Sequence, residues 1–352
     1  MTAPLSRSPL LPEDLDGITA RVEPVARQLQ QARVLILGAT GFVGGWLLES
    51  LLALDQAVGL QLKVAILTRS AAAFSARAPH LATDSRLTMH EGDLTEIAAL
   101  PGLAGFTHVV HAASDVNRRM TSAEALACLR TLDQGTEALL QAASGWPVHR
   151  LLYVSSAAVY DRTHGAQSDA AGQPPTPGIE STYATGKRLA ELRTVLHASA
   201  SGYEAVIARL GAFVGPLLPL NAGFAAGNFV GDALAGRAIR ILGDGTPQRS
   251  YQYAADMAVW LWTLLLSGKA GEAYNVGGAT PISLRDLAEC IQQVAGGPRA
   301  EVLGTPDPTR TVDAYIPPVD KAMRELGLAN QVDLGEAIRR TLFWYSIQGP
   351  RT

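Results

Sequence analysis

Tyr183 and Lys187 stand four residues apart in Tyr183-Ala184-Thr185-Gly186-Lys187, within a segment, ATGKRLAELRTVLHA, that reads as helix. Positions i and i+4 share one face of a helix, so this spacing lays an ammonium beside a phenol. A free phenol titrates near ~10. An adjacent cation favours the phenolate and lowers that value, toward the range in which a phenol passes protons at neutral pH. A third group ends Leu151-Leu152-Tyr153-Val154-Ser155-Ser156, a run that reads as a strand finishing in hydroxyls. Ligands of parallel sheets gather at the carboxyl ends of the strands, so Ser156 is placed to meet a substrate hydroxyl. Alone, the Tyr–Lys spacing marks a solvated helix face and the serine caps a turn. Together they form an acid–base set.

The elements needed to position such a set are legible. Arg33-Val34-Leu35-Ile36-Leu37 is a short apolar run that reads as a buried parallel strand. Gly38-Ala39-Thr40-Gly41-Phe42-Val43-Gly44 follows, and then an apolar helix from Trp46 to Leu52. Strand, glycine turn and helix N-terminus together make a phosphate site, because glycines admit a close backbone and the free N–H groups favour an anion. The spacing is GxxGxxG rather than GxGxxG. Further strands read at Lys63–Leu67 and at His108–Ala113. Apolar strands alternating with helical stretches over residues 31–210 predict βαβ units and a parallel sheet covered on both faces.

With these motifs in order, the chain resembles the extended short-chain dehydrogenases/reductases of the nucleotide-sugar epimerase/dehydratase family. The resemblance runs from about residue 33 to 345, through GATGFVGG, EGDL (91–94), HAAS (111–114), YVSSAAVY (153–160), YATGK, ILGDGTPQRSYQYAADMA (241–258), YNVGG (274–278) and LGEAIRRTLFWY (334–345). It implies an α/β fold: a Rossmann-type doubly wound parallel sheet with a smaller C-terminal substrate-binding lobe. The expected division is an N-terminal extension (1–30), a dinucleotide-binding domain (31–212) and a lobe (213–352) that holds a nucleotide sugar and returns some segments to the first domain. Ser156, Tyr183 and Lys187 become a catalytic triad, with Lys187 also bonding the nicotinamide ribose.

The cofactor is expected on Gly38, Thr40, Gly41, Phe42, Val43, Gly44, Asp93, Leu94, Ala112, Ala113 and Ser114, with Tyr183 and Lys187. Asp93 resembles the residue that contacts adenine. An acidic residue after the second strand would bond the adenosine ribose and favour NAD. Thr68-Arg69 stands there instead, and a guanidinium suits a 2′-phosphate, so NADP is preferred to NAD. On the sugar-nucleotide side the resemblance implies Asn228, Arg249, Tyr315 and Arg310. Ser250 replaces the usual aspartate after Arg249, and Ala212 replaces a common asparagine.

The reaction is read partly from absences. Family 4,6-dehydratases carry acidic residues directly after the serine, where this chain has Ala157 and Ala158. The cysteine that GDP-fucose synthases use corresponds to Ala158. What remains is hydride transfer at sugar carbon 4, as a 4-ketoreductase or a 4-epimerase. The alternatives are a 4,6-dehydratase or decarboxylase and, from another class, a non-catalytic NADP-binding sensor or scaffold.

Composition fits. The chain has 352 residues, net charge −3 and 47% apolar content, enough for a large core, with no basic run suited to nucleic acid. Cys128 and Cys290 have no metal or disulfide spacing, and no metal site is expected. With no signal peptide, and an apolar run (Met257–Leu266) about half the ~20 residues of a spanning helix, a cytoplasmic enzyme without membrane contact is expected. The resemblance adds a homodimer. Residues 161–180 read as a Gly- and Pro-rich loop, mobile near the substrate mouth, and Glu13–Gln31 as a helix interrupted near Pro24.

Overall fold

The computed structural model describes residues 9–114, 120–160, 178–307, 309 and 312–348. Its centre is a parallel sheet of seven strands: β1 (Arg33–Leu37), β2 (Lys63–Thr68), β3 (Leu87–Glu91), β4 (His108–His111), β5 (Arg150–Ser156), β6 (Glu204–Leu210) and β7 (Ala273–Val276). Their spatial order is β7-β6-β5-β4-β1-β2-β3. Val34 to Leu37 are all buried, as a strand covered on both faces requires. The order reverses between β1 and β4, which pair in register from Val34↔His108 to Leu37↔His111. Such a reversal opens a crevice at the carboxyl ends of the strands. The fourth strand is shorter than its apolar run, because Ala112, Ala113 and Ser114 leave the ladder and line that crevice.

Five of the helices flank this sheet and the cleft: α1 (Pro12–Ala26), α2 (Phe42–Val58), α3 (Thr182–Ser201), α4 (Ala225–Leu234) and α5 (Ala254–Ser267). The first runs through Pro24 instead of breaking there, and a single 3-10 turn, Arg27–Leu29, finishes it. It buries Ile18, Val22 and Ala26 and packs against α2 and α5. Buried charges hold it in place. Asp14 accepts hydrogen bonds from Tyr253 at 2.5 Å and Arg340 at 2.6 Å. Arg21 pairs with Asp256, whose other oxygen takes the N–H groups of Gln331 and Val332 at 3.0 and 3.1 Å.

Met257–Leu266 lies inside α5 and is buried throughout, as a core helix. No helix among the described residues is long and apolar enough to cross a membrane. Neither cysteine forms a disulfide. The C-terminal part also builds a second sheet. In it Gln248–Tyr253 pairs antiparallel with Pro281–Ser283 and parallel with Ala314–Tyr315 and with Ala212–Val214. The expected loop falls largely outside the described residues, which omit 161–177.

Candidate active site

The glycine turn is dictated by close approach. Gly38 has φ +81°, and a Cβ there would meet the Ala112 carbonyl oxygen at 2.5 Å. A Cβ on Gly44 would lie 2.3 Å from the Gly38 carbonyl oxygen. Gly41 precedes α2 and no side chain caps that helix, so its first N–H groups face the crevice as an anion site. Arg77, which the motifs did not single out, donates to the Thr40 carbonyl and braces the turn from outside.

One cleft of about 1420 Å³ runs along the carboxyl ends of the strands. Every residue expected to hold the cofactor lines it: Gly38, Thr40, Gly41, Phe42, Val43, Gly44, Arg69, Asp93, Leu94, Ala112, Ala113, Ser114, Tyr183 and Lys187. The volume exceeds the ~300–1,000 Å³ of usual ligand pockets, leaving room for a dinucleotide and a second ligand. Arg69 is exposed at the end of β2. Asp93 caps the following 3-10 turn through Thr95, and the Thr95 hydrogen bonds hold its carboxyl below the usual range, with Arg130 and Arg69 adding to the effect.

Ser156 closes β5, and its Oγ accepts the Ala158 N–H at 3.1 Å, capping a 3-10 turn. Its hydroxyl and that of Ser114 stand beside the Tyr183 phenol. Tyr183 opens α3, and one turn on Lys187 is 1% exposed, with Nζ donating to the Val154 carbonyl at 2.7 Å. That Nζ lies 5.7 Å from the Tyr183 ring centroid and 4.9 Å from that of Tyr153. The hydroxyl, phenol and amine converge.

Their electrostatics correct the sequence reading. Lys187 was expected to bring the phenol down. Burial instead pushes Tyr183 up to about 12, with the Ser114 and Ser156 hydroxyls pulling the other way. Burial also pushes Lys187 down to about 7. Desolvation penalises whichever form is charged, so in this protein environment both groups are held toward neutrality.

On the far side of the cleft, Arg249 and Tyr315 pair in register and both line the cavity, with the guanidinium carbon 5.8 Å from the ring centroid. Asp313 supports Arg249, through its carboxylate at 2.8 Å and its carbonyl at 2.9 Å. Asn228 differs from expectation: it is exposed on α4 and outside the lining. Phe224, Ala225 and Ala226, at the start of that helix, line the cleft there instead. Arg310 lies outside the described residues. Ala158 does face the cleft, and Ala212 lines it too. Tyr160 and Glu180 also line it without having been singled out.

The chain matches the model of the NAD dependent epimerase/dehydratase family over residues 34–277. It belongs to that family. A dTDP-glucose 4,6-dehydratase of Streptomyces griseus is 26% identical over 322 residues, covering 89% of this chain and 93% of the relative. UDP-glucuronic acid decarboxylase 1 of Arabidopsis thaliana is 26% identical over 339 residues, 96% of this chain and 75% of the relative. Among solved structures, a double mutant of the dTDP-glucose 4,6-dehydratase DesIV of Streptomyces venezuelae with NAD bound superposes with a TM-score of 0.75. It is 26% identical, covering 89% of this chain and 97% of that one. The family's cofactor is NAD, where the sequence reading preferred NADP, and the glycine cradle and uncapped α2 fit the pyrophosphate of either form.

Proposed function

We propose that this protein is a nucleotide-sugar oxidoreductase acting at sugar carbon 4, as a 4-ketoreductase or 4-epimerase. The observation that carries this reading is the convergence of Ser156, Tyr183 and Lys187 beside the glycine cradle. When bound, the nicotinamide supplies the hydride chemistry. Tyr183, held as a neutral phenol, donates its proton to the carbonyl oxygen of a ketosugar as that carbon is reduced. Ser156 holds the same oxygen and stabilises its developing charge. In the reverse direction the phenolate takes the hydroxyl proton back. Residues 31–212 hold the cofactor and residues 213–352 mainly the nucleotide sugar, with Arg249 and Tyr315 on its diphosphate and base side. Arg69 pairs with a 2′-phosphate and gives NADP preference over NAD.

The test is incubation of the purified protein with UDP-, dTDP-, GDP- and CDP-sugars and their 4-keto forms, followed by sugar NMR and nicotinamide absorbance. Net NADPH consumption means reductase, and isomer exchange without consumption means epimerase. Cofactor binding without turnover of any sugar would overturn the reading in favour of a sensor or scaffold.

A second reading, dehydratase or decarboxylase, is favoured by the named activities of the relatives and by Glu180. This carboxylate lines the cleft three residues before Tyr183, and Asp93, the other carboxylate among the described lining residues, sits at the adenosine end. Loss of water or carbon dioxide from a sugar, abolished in Glu180→Gln, would select it.

For assembly we propose a homodimer. Leu126, Leu189, Leu192 and Leu196 stand exposed on the adjoining helices Ser122–Arg130 and α3, an apolar face suited to a second copy. Sedimentation as a monomer would exclude it.

A further inference from the structure

Behind Lys187, away from the cleft, lies a buried aromatic stack that the mechanism above does not use. Tyr153 on β5 is fully buried and is not among the residues that line the cleft. The Lys187 ammonium stands over its ring, 4.9 Å from the centroid, and donates to the carbonyl of the next residue, Val154, at 2.7 Å. The Tyr183 ring, on the cleft side, is farther off at 5.7 Å. A cation within ~6 Å of a ring centroid is attracted by the negative face of the ring, and more strongly where water is excluded. Lys187 and Tyr153 are both in the dry interior.

The ring is braced from behind. His111 is the in-register neighbour of Tyr153 on β4, and the two rings meet with centroids 5.2 Å apart and planes at 71°. The His111 Nε2 lies 3.0 Å from the Thr136 hydroxyl, which fixes the imidazole. The Tyr153 hydroxyl, by contrast, has no hydrogen-bond partner among the described residues. Every contact that links Tyr153 to Lys187 is therefore made by the ring.

We propose that the ring face of Tyr153 holds the Lys187 ammonium in place and sustains its charge in the protein interior. Tyr153 is a positioning residue that acts through Lys187, and its part in turnover rests on the function proposed above.

The other titratable groups around Lys187 leave this role to the ring. Glu191, one turn further along α3, is engaged elsewhere: its carboxylate accepts the Ser155 hydroxyl at 2.5 Å and Arg209 Nη2 at 2.7 Å. Burial pushes His111 down to about 3, so the imidazole is neutral. Burial also keeps the Tyr153 and Tyr183 phenols protonated. Cys128, from the helix Ser122–Arg130, is buried. A free thiol titrates near ~8.5 and burial in apolar surroundings raises that value, so it carries no charge near pH 7.

The chain has four lysines, Lys63, Lys187, Lys269 and Lys321, so ε-carbon-labelled lysine gives a sparse NMR spectrum in which Lys187→Met identifies the Lys187 signal. Tyr153→Phe keeps the ring face and should leave the Lys187 titration midpoint within about 0.3 of a pH unit. Trifluorophenylalanine at the same position has nearly the same shape, but its fluorines withdraw the negative charge from the ring face. Its midpoint should fall by about one pH unit. Tyr153→Leu, which removes the ring, should lower it likewise. The alkaline limb of kcat, set by loss of the Lys187 proton, should move down with the midpoint.

Equal Lys187 midpoints in the phenylalanine and trifluorophenylalanine proteins overturn the proposal, because a ring that only fills space is indifferent to fluorine. So does a fall in Tyr153→Phe as large as that with the fluorinated ring, which would assign the effect to the hydroxyl. Should Tyr153→Leu fail to fold, the two phenylalanine proteins decide between them. The NMR comparison needs no turnover, so it stands or falls apart from the proposed activity.

Discussion

Replacing Lys187 by methionine should abolish turnover while making the protein more stable at neutral pH. The side chain is 1% exposed and its ammonium is pushed from the ordinary 10.5 to about 7. At about 1.4 kcal/mol per pH unit, that gap corresponds to a cost of roughly 5 kcal/mol for burying the charged form. Methionine has a similar length and no charge to desolvate. It forfeits the hydrogen bond to the Val154 carbonyl, a loss of about 1–3 kcal/mol if that oxygen stays unsatisfied. The net expectation at pH 7 is a gain of roughly 2–3 kcal/mol. The sign follows from linkage: between about 7 and 10.5 the unfolded lysine binds a proton that the folded one does not, so the parent gains stability as pH rises. The advantage of the variant should shrink by roughly 2 kcal/mol from pH 7 to pH 9, and at higher pH only the lost hydrogen bond remains. Urea unfolding at pH 7, 8 and 9, read by tryptophan fluorescence, measures this. A difference between the two proteins that stays constant across those pH values would refute the argument, because it would mean that Lys187 does not titrate there.

Tyr183→Phe should lower turnover by at least ~10²-fold, the lower range for a lost proton donor, while cofactor titration shows binding largely kept; near-normal turnover would defeat its role. Arg69→Ala should weaken NADP more than NAD by calorimetric titration, and equal losses would remove Arg69 from the 2′-phosphate. Asp313→Ala frees Arg249 from its carboxylate partner and should raise KM for the nucleotide sugar several-fold with cofactor affinity unchanged. An unaltered KM would show that Arg249 needs no such support.

Local patterns carried much of the architecture. The apolar run Val34–Leu37 and the glycines after it specify strand and turn through sterics that act within ten residues, and the cleft forms where they point. The Tyr183–Lys187 spacing works the same way, since helical geometry brings the two side chains together wherever the helix lies. Glu191 was available by that rule, another turn along. Its ion pair with Arg209, eighteen residues on in β6, is one that no helical spacing could reveal. Asn228 shows the converse: a motif position that the fold leaves exposed and outside the cleft lining.

The sequence by itself determined the parallel sheet, the phosphate cradle and the identity of the three convergent groups, because backbone propensity and side-chain spacing act over short distances. Tertiary structure alone decided their charge. Whether Tyr183 and Lys187 are ionised depends on how much water the surrounding strands exclude and on which groups from other elements, Ser114, Ser156 and Cys128, come within reach. Desolvation is a property of the packed interior, and no pair of residues in a chain encodes it on its own.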